Sequence, residues 1–402
     1  FEADHNGATA WIDTRDFSLD IPRTYQQPLL FQSVRGRLSA HWNSSLLTLE
    51  QGLLTVAAGD HDAMVQFAMD IPLQRNSDLD TELAMYLSVG FGAAPLTIRD
   101  RYLPVTVSPT LSRWLSMSIR SGDAVGGAFL WRGGFKDYGQ AKQSLQLGLD
   151  VQSLELAFSP EWPALAASSA TVLVDIQRVS AWSPHARVAD LALQGLSVEV
   201  DAGESVNKLL ATSRVDSDAS SVVTTLRQSP VYEGAYSVLS DVGAKGRVTG
   251  ELSVGLDLSD GDLSPLVKVD SYLQGVNLRS DRLQLELEQM MGPLAYDTEH
   301  GFKSPGIEGR ILAQPFNIVI GQNVVEADGA DVLDARLTTR LSAETFTPWL
   351  TKLTEADIDQ VLTPLEGGCD VELAVGVGRR TSVQFDTDLQ GLAINLPSPL
   401  GK

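Results

Sequence analysis

The chain has 402 residues, of which 43% are hydrophobic and 20% charged, so it can bury a large apolar surface and is not compositionally disordered. Its 30 Lys and Arg stand against 51 Asp and Glu, a formal net charge of −21. That balance excludes nucleic-acid binding by phosphate neutralisation and weakens any reading in which the body lies on an anionic bilayer. The single cysteine, Cys369, excludes an intrachain disulfide, and no run approaches the ~18 apolar residues of a membrane helix. The length exceeds one ordinary compact domain unless the fold is elongated. Because the sequence opens at Phe1 without a Met or a signal peptide, it is expected to be a piece of a longer protein whose membrane anchor, if any, lies elsewhere.

In chain order, the dominant pattern is alternation of apolar and polar residues, the mark of a sheet with one apolar face. Val65, Phe67, Met69 and Ile71 form one such run, and Leu83, Met85, Leu87 and Val89 the next. A helix is expected over 108–122: Ser108 can cap it, Pro109 suits its first turn, and Gly122 offers a stop,. Its Leu111, Trp114, Leu115 and Ile119 share a face,. Strand alternation resumes at Leu145, Leu147, Leu149 and Val151, and again at Leu252, Val254, Leu256 and Leu258, then Leu283, Leu285 and Leu287. A helical region is expected over 343–367. Phe346, Trp349, Leu350 and Leu353 come first, then a second helix capped by Thr354, carrying Ile358, Val361, Leu362 and Leu365, and ended by Gly367-Gly368,. Val371, Leu373, Val375 and Val377 form the last clear alternation. Turn-forming stretches such as Ala57–Asp60, Asn76–Asp78 and Asp260–Asp262 separate the runs,.

Three segments share the form D-x-x-L-Q-G-[LV]: Asp190–Leu196, Asp270–Val276 and Asp386–Leu392. Apolar residues before each glycine are odd-numbered (Leu193, Leu273, Leu389), while those after it are even-numbered (Leu196 and Val198; Val276 and Leu278; Leu392 and Ile394). One extra residue in the strand restores a common face, and glycine accepts the backbone angles this needs. A β-bulge or tight bend is therefore predicted at Gly195, Gly275 and Gly391.

Catalytic signatures are missing. There is no G-x-S-x-G elbow, H-E-x-x-H or phosphate-binding loop,. The five histidines, His5, His41, His61, His185 and His300, lack metal-ligand spacing,. His61 beside Asp60 and Asp62 reads as turn chemistry, and Cys369 as an incidental thiol. No catalytic residue, metal or cofactor is expected, and the chain is read as a non-enzyme.

Several stretches together resemble the YhdP-like branch of the AsmA-like family, to which TamB is also similar. They are Tyr102-Leu103-Pro104, Trp114-Leu115 with Gly122 and Gly127, Trp131-Arg132-Gly133, Ser159–Leu165 with its Trp162-Pro163, Ser229-Pro230, and the closing Asp388–Gly391 to Leu396–Lys402. Phe135–Tyr138 departs from the pattern by lacking a proline after the Arg-Gly element. The resemblance implies an inner-membrane-anchored parent whose body crosses the periplasm and moves phospholipid toward the outer membrane.

The expected fold is mostly β: one continuous, elongated, curled antiparallel sheet over 1–402 forming an apolar groove (taco-like), with short amphipathic helices inserted at 108–122 and 343–367. Its expected function is a lipid conduit whose partners are phospholipid acyl chains and, through other parts of the parent, membranes. Leu196, Val198, Leu252, Val254, Leu256, Leu283, Leu285, Leu373, Val375 and Ile394 are the candidate groove lining; an ordinary closed sandwich core is the alternative for each. The competing function is a structural or adhesin-like β scaffold that binds protein or glycan through its surface.

Overall fold

A computed structural model describes the chain except residues 23, 74–83, 106, 135–142, 203–206, 231–241, 260–263, 282–283, 322–323, 326–330, 355–364, 378–380 and 395–402. The Asn76 and Asp260 turns, the Phe135–Tyr138 departure, Leu283, the helix expected after Thr354 and the closing Leu396–Lys402 therefore fall wholly or largely outside the described residues. No helix among the described residues is long and apolar enough to cross a membrane.

The fold is one long antiparallel sheet, with 23 strands among the described residues. Its first part comprises β1 (Glu2–Ala3), β2 (Gly7–Leu19), β3 (Leu29–Trp42), β4 (Leu46–Ala57), β5 (Asp62–Pro72), β6 (Ala84–Phe91) and β7 (Ala94–Pro95). The helices α1 (Arg99–Tyr102) and α2 (Pro109–Ser118) follow. Next come β8 (Ile119–Gly134), β9 (Ser144–Leu156), β10 (Leu165–Asp175), β11 (Arg178–Val188), β12 (Leu191–Ala202) and β13 (Asn207–Asp218). After α3 (Ala219–Arg227) the sheet continues as β14 (Val242–Asp257), β15 (Leu266–Ser280), β16 (Leu285–Asp297), β17 (Gly301–Ile311), β18 (Gln314–Ile320), β19 (Val324–Val325) and β20 (Asp331–Ser342). Helix α4 (Ala343–Thr354) precedes β21 (Leu365–Val377), β22 (Thr381–Thr387) and β23 (Leu392–Ile394).

Neighbours in sequence are neighbours in space: from β8 to β18 every strand pairs antiparallel with the next. Such a meander needs only short connections, which its turn chemistry supplies. At one rim of the sheet, side-chain oxygens of Asp4, Asn43, Asp175, Asp257 and Asp297 accept backbone N–H groups two or three residues on, the Asx turns that Asp and Asn favour. The four α-helices among the described residues leave from the opposite rim, between β7 and β8, β13 and β14, and β20 and β21.

The predicted bulges at Gly195 and Gly275 are present. Gly195, at φ +61°, and Leu196 together face the single residue Ser213. Gly275, at φ +60°, and Val276 together face Gly246. The extra residue has the foreseen effect: Leu193 and Leu196 are both buried, as are Leu273 and Val276. Gly391, at φ +92°, lies in a tight turn leading into β23 rather than inside a strand, and Leu389 before it is exposed. Carbonyls beside the Gly195 bulge and at the β16–β17 register break are taken up by small buried hydroxyl side chains. Ser213 Oγ donates to the Gln194 carbonyl at 3.1 Å and Ser304 Oγ to the Pro293 carbonyl at 2.6 Å, and no buried side-chain N or O among the described residues lacks a partner,.

Helix boundaries differ from the expectation. α2 starts as predicted, with Ser108 Oγ accepting from Leu111 N at 3.2 Å, but it ends at Ser118. Ile119–Gly122 already belong to β8, because their backbone pairs with β9. Likewise Leu365–Gly367 belong to β21, paired with β23. α3 was not expected at all. Its Val222, Val223, Thr224 and Thr225 are β-branched and favour strand,; packing of Ala219, Val222 and Val223 in one cluster with Val248, Leu273 and Val276 overrides that preference,.

Many inward-facing positions between β5 and β11, such as Val65, Val89, Phe129, Leu147, Val174 and Val179, are half-buried rather than buried, so no full second layer closes over this part of the sheet.

Candidate functional site

On one face of the sheet, cross-strand pairing joins apolar residues into two rows. One runs Val65–Val89–Phe129–Leu147–Val174–Val179–Val200–Leu209–Leu256 from β5 to β14. The other, one pair away, runs Phe91–Gly127–Leu149–Val172–Ala181–Val198–Ala211–Val254–Val267 from β6 to β15. Alternation within each strand puts these residues on one face, and antiparallel register lines them up across it. From Val65 to Val179 the first row is only half-buried, as is the second from Phe91 to Val254. A band of half-buried apolar side chains thus runs across these strands, with Val179, Val198 and Ala211 packing at the edge of buried clusters.

The opposite face does not match it. There Trp182 stands between Thr171 and Ser197 and Leu53 between Arg37 and Gln66, while Leu210 and Leu266 flank Gly255. Isolated residues such as Trp182 and Leu53 are ordinary surface. A concavity of about 700 Å³ lies there, lined by Thr249, Tyr272, Pro293 and Pro305 among others. It forms where β16 and β17 lose their pairing between Met291 and Ala295, beside prolines that cannot donate to the ladder.

The sequence-derived candidates distribute unevenly over the band. Val198 and Val254 sit in the half-buried row, and Val254 belongs to none of the buried clusters. Leu196 is buried, and Leu252 packs with it beside Leu193 and Val215. Leu256 is 3% exposed, enclosed with Trp114 of α2, Val200, Leu209 and Leu258. Leu285 and Leu373 are half-buried against a third cluster, around Val276, Ile307 and Phe316. Val375 and Ile394 lie in β21 and β23, and Leu283 lies outside the described residues. The β10–β11 part of the band, Val172, Val174, Val179 and Ala181, escaped the sequence reading. There the outward Leu173 and Trp182 hide the period-two signal.

One polar cluster borders the insertion that carries α2. Asp60 Oδ1 accepts from His61 Nδ1 at 2.7 Å, and the Asp60 carboxylate receives both Arg101 guanidinium nitrogens at 3.2 and 3.1 Å. His61 Nε2 then accepts from the Tyr102 hydroxyl at 2.9 Å. Burial alone would push the Asp60 carboxyl up, but hydrogen bonds from His61 and Arg101 outweigh it and hold the group below the usual carboxylate range,. Burial raises the Tyr102 phenol. The cluster pins the β4–β5 turn to α1. A carboxyl depressed in the folded state adds stability above its unfolded pKa, roughly 3.9, and loses it as pH falls through the lower folded value. Asp60→Asn should therefore lower stability by about 1 kcal/mol at pH 7, and the gap to the parent should close below about pH 4; chemical denaturation at both pH values checks this. Among the described residues no group of three or more His, Cys, Asp or Glu is placed to hold a metal.

The family model described as YhdP protein matches residues 1–402. No curated protein and no solved structure matches the chain.

Proposed function

Because the chain belongs to the YhdP protein family, we propose that it carries phospholipid, held by its acyl chains on the apolar face of the sheet, between the inner and outer membranes through the periplasm. The half-exposed apolar rows from β5 to β14 carry this reading. A band of this kind needs an occupant, and an acyl chain suits it, since each buried CH₂ contributes roughly 0.8 kcal/mol without asking for a polar contact. Nine strands, β5, β6 and β8 to β14, at ~4.8 Å spacing extend it over roughly 40 Å. The headgroup stays in water at the opening. Repetition of near-equivalent Val, Leu and Ala positions gives no deep well, so lipid can slide from strand to strand.

In this reading Leu196, Val198, Leu252, Val254, Leu285 and Leu373, with Val375 and Ile394 further along, line the path, and Leu256 joins them beneath α2. The scaffold alternative is less well supported, because outward apolar residues such as Trp182 and Leu53 are flanked by polar partners and form no row comparable in length to those on the other face. Lipid mass spectrometry on the chain purified without detergent should find close to one or more phospholipids per molecule. A folded, lipid-free chain would overturn the proposal in favour of a scaffold acting through protein partners.

A further inference from the structure

The row Val174–Val179–Val200–Leu209–Leu256 changes character along its length. Val174 and Val179 are half-buried, while Val200, Leu209 and Leu256 are 5%, 7% and 3% exposed. Strand type and register are the same on both sides of this change. What differs is the cover: Trp114 of α2 is buried in one cluster with Val200, Leu209, Leu256 and Leu258, and Leu111 and Leu115 of α2 pack on it together with Phe158, Val198 and Ala211, with Val179 at its edge. The helix therefore occupies part of the band itself.

Its polar anchors are distributed unusually. Ser108 caps it. Arg99 donates to the carbonyls of Leu115 and Ser116 at 3.2 and 2.7 Å, a cation at the negative end of the helix,. Asp100 accepts from Ser116 Oγ at 2.8 Å. All these partners belong to the insertion, so they hold it together as a unit without fixing it to the band. Among the described residues, Val105 N just before the helix donates to the Thr24 carbonyl of the β2–β3 connection at 2.9 Å, and two further backbone-directed bonds run toward the sheet. Trp114 Nε1 donates to the Phe158 carbonyl at 3.2 Å, and Ala157 N donates to the Ser118 carbonyl at 2.7 Å, where α2 runs into β8. The far end is pinned through Arg101 and Tyr102 to Asp60 and His61. The helix is thus fastened at both ends of its insertion and held to the band by apolar side chains and one indole hydrogen bond.

We propose that α2 is a displaceable plug: Leu111, Trp114 and Leu115 cover Val200, Leu209 and Leu256 when no acyl chain is present, and yield that segment when one arrives. This rests on the lipid-carrying reading above. The exchange replaces one apolar occupant by another, so it leaves no buried polar group unpaired except the Phe158 carbonyl, which lies at a strand end.

The test uses the full chain with Cys369→Ala and one reporter thiol at a time, Leu256→Cys under the helix or Val254→Cys beside it, with maleimide labelling and cis-parinaric acid as acyl probe. Without probe, Leu256→Cys should label at least tenfold more slowly than Val254→Cys. Adding Trp114→Ala should bring the two rates within about threefold and raise bound probe about twofold, and bound probe should then protect Leu256→Cys. If Trp114→Ala fails to fold, Arg99→Ala, which loosens the helix without touching the band, should raise Leu256→Cys labelling severalfold. A folded Trp114→Ala or Arg99→Ala chain in which Leu256→Cys stays protected would overturn the plug while leaving the lipid reading intact. Faster labelling with no probe bound to any chain would instead count against the lipid reading and reduce α2 to a mobile cover.

Discussion

The Val254→Asp chain should fold, melt within a few degrees of the parent, and lose at least four-fifths of its co-purifying phospholipid. Val254 is half-buried, paired with Ala211 and Val267 across the sheet, and outside every buried cluster. A carboxylate there can keep much of its hydration, so the folding penalty is about 1–2 kcal/mol. For an acyl chain lying along Ala181, Val198, Ala211 and Val254, the same carboxylate is a charge in the middle of an apolar path. The chain must leave it unsolvated or detach, and either interrupts passage. Two controls bracket the result. Ser253→Asp, one residue away on the opposite face, should keep its lipid. Val276→Asp, at a position 2% exposed within a buried cluster, should unfold, with a loss above about 4 kcal/mol. If Val254→Asp behaves like Val276→Asp, the band is a dry core and the conduit reading fails.

Gly246→Ala should destabilise the chain by about 3 kcal/mol or more, whereas Gly275→Ala should lose only about 1–2 kcal/mol. Both glycines are left-handed, at φ +111° and +60°, and they face each other across the same bulge. A Cβ on Gly275 would point into open space, so only the backbone conformation is penalised. A Cβ on Gly246 would fall 2.5 Å from the Gly275 carbonyl oxygen and 2.7 Å from Val276 Cα, backbone atoms that cannot swing aside. Relief would require the bulge to open, which would return Val276 to the wrong face and strip Leu273 of its neighbour. Urea denaturation of the two variants measures the difference directly. Equal losses would mean that the bulge is plastic and does not set the face of β15.

Local chemistry made much of the architecture legible. The alternation of Leu252, Val254 and Leu256 with polar neighbours read correctly as a strand with one apolar face, because side-chain direction in a strand depends only on parity. The parity change across Leu193-Gln194-Gly195-Leu196 and Leu273-Gln274-Gly275-Val276 predicted two bulges for the same reason. The cap at Ser108 was readable because an N-cap needs one oxygen and one nearby N–H. α3 was hidden, since Val222 through Thr225 carry strand preferences that only packing on Val248 and Leu273 reverses. β10 and β11 hid their share of the band, because Leu173 and Trp182 are apolar but face outward.

By itself, then, the sequence determined which residues share a face, where that face shifts by one residue, and which family the whole implies. The tertiary structure alone decided which parts of the apolar face stay open and which are closed. Val254 and Leu256 are two residues apart with the same parity and nearly the same chemistry, yet one is half-exposed and the other sealed. The difference is set by Trp114, some 140 positions earlier in the chain, and burial by a distant segment leaves no mark in the local pattern it covers.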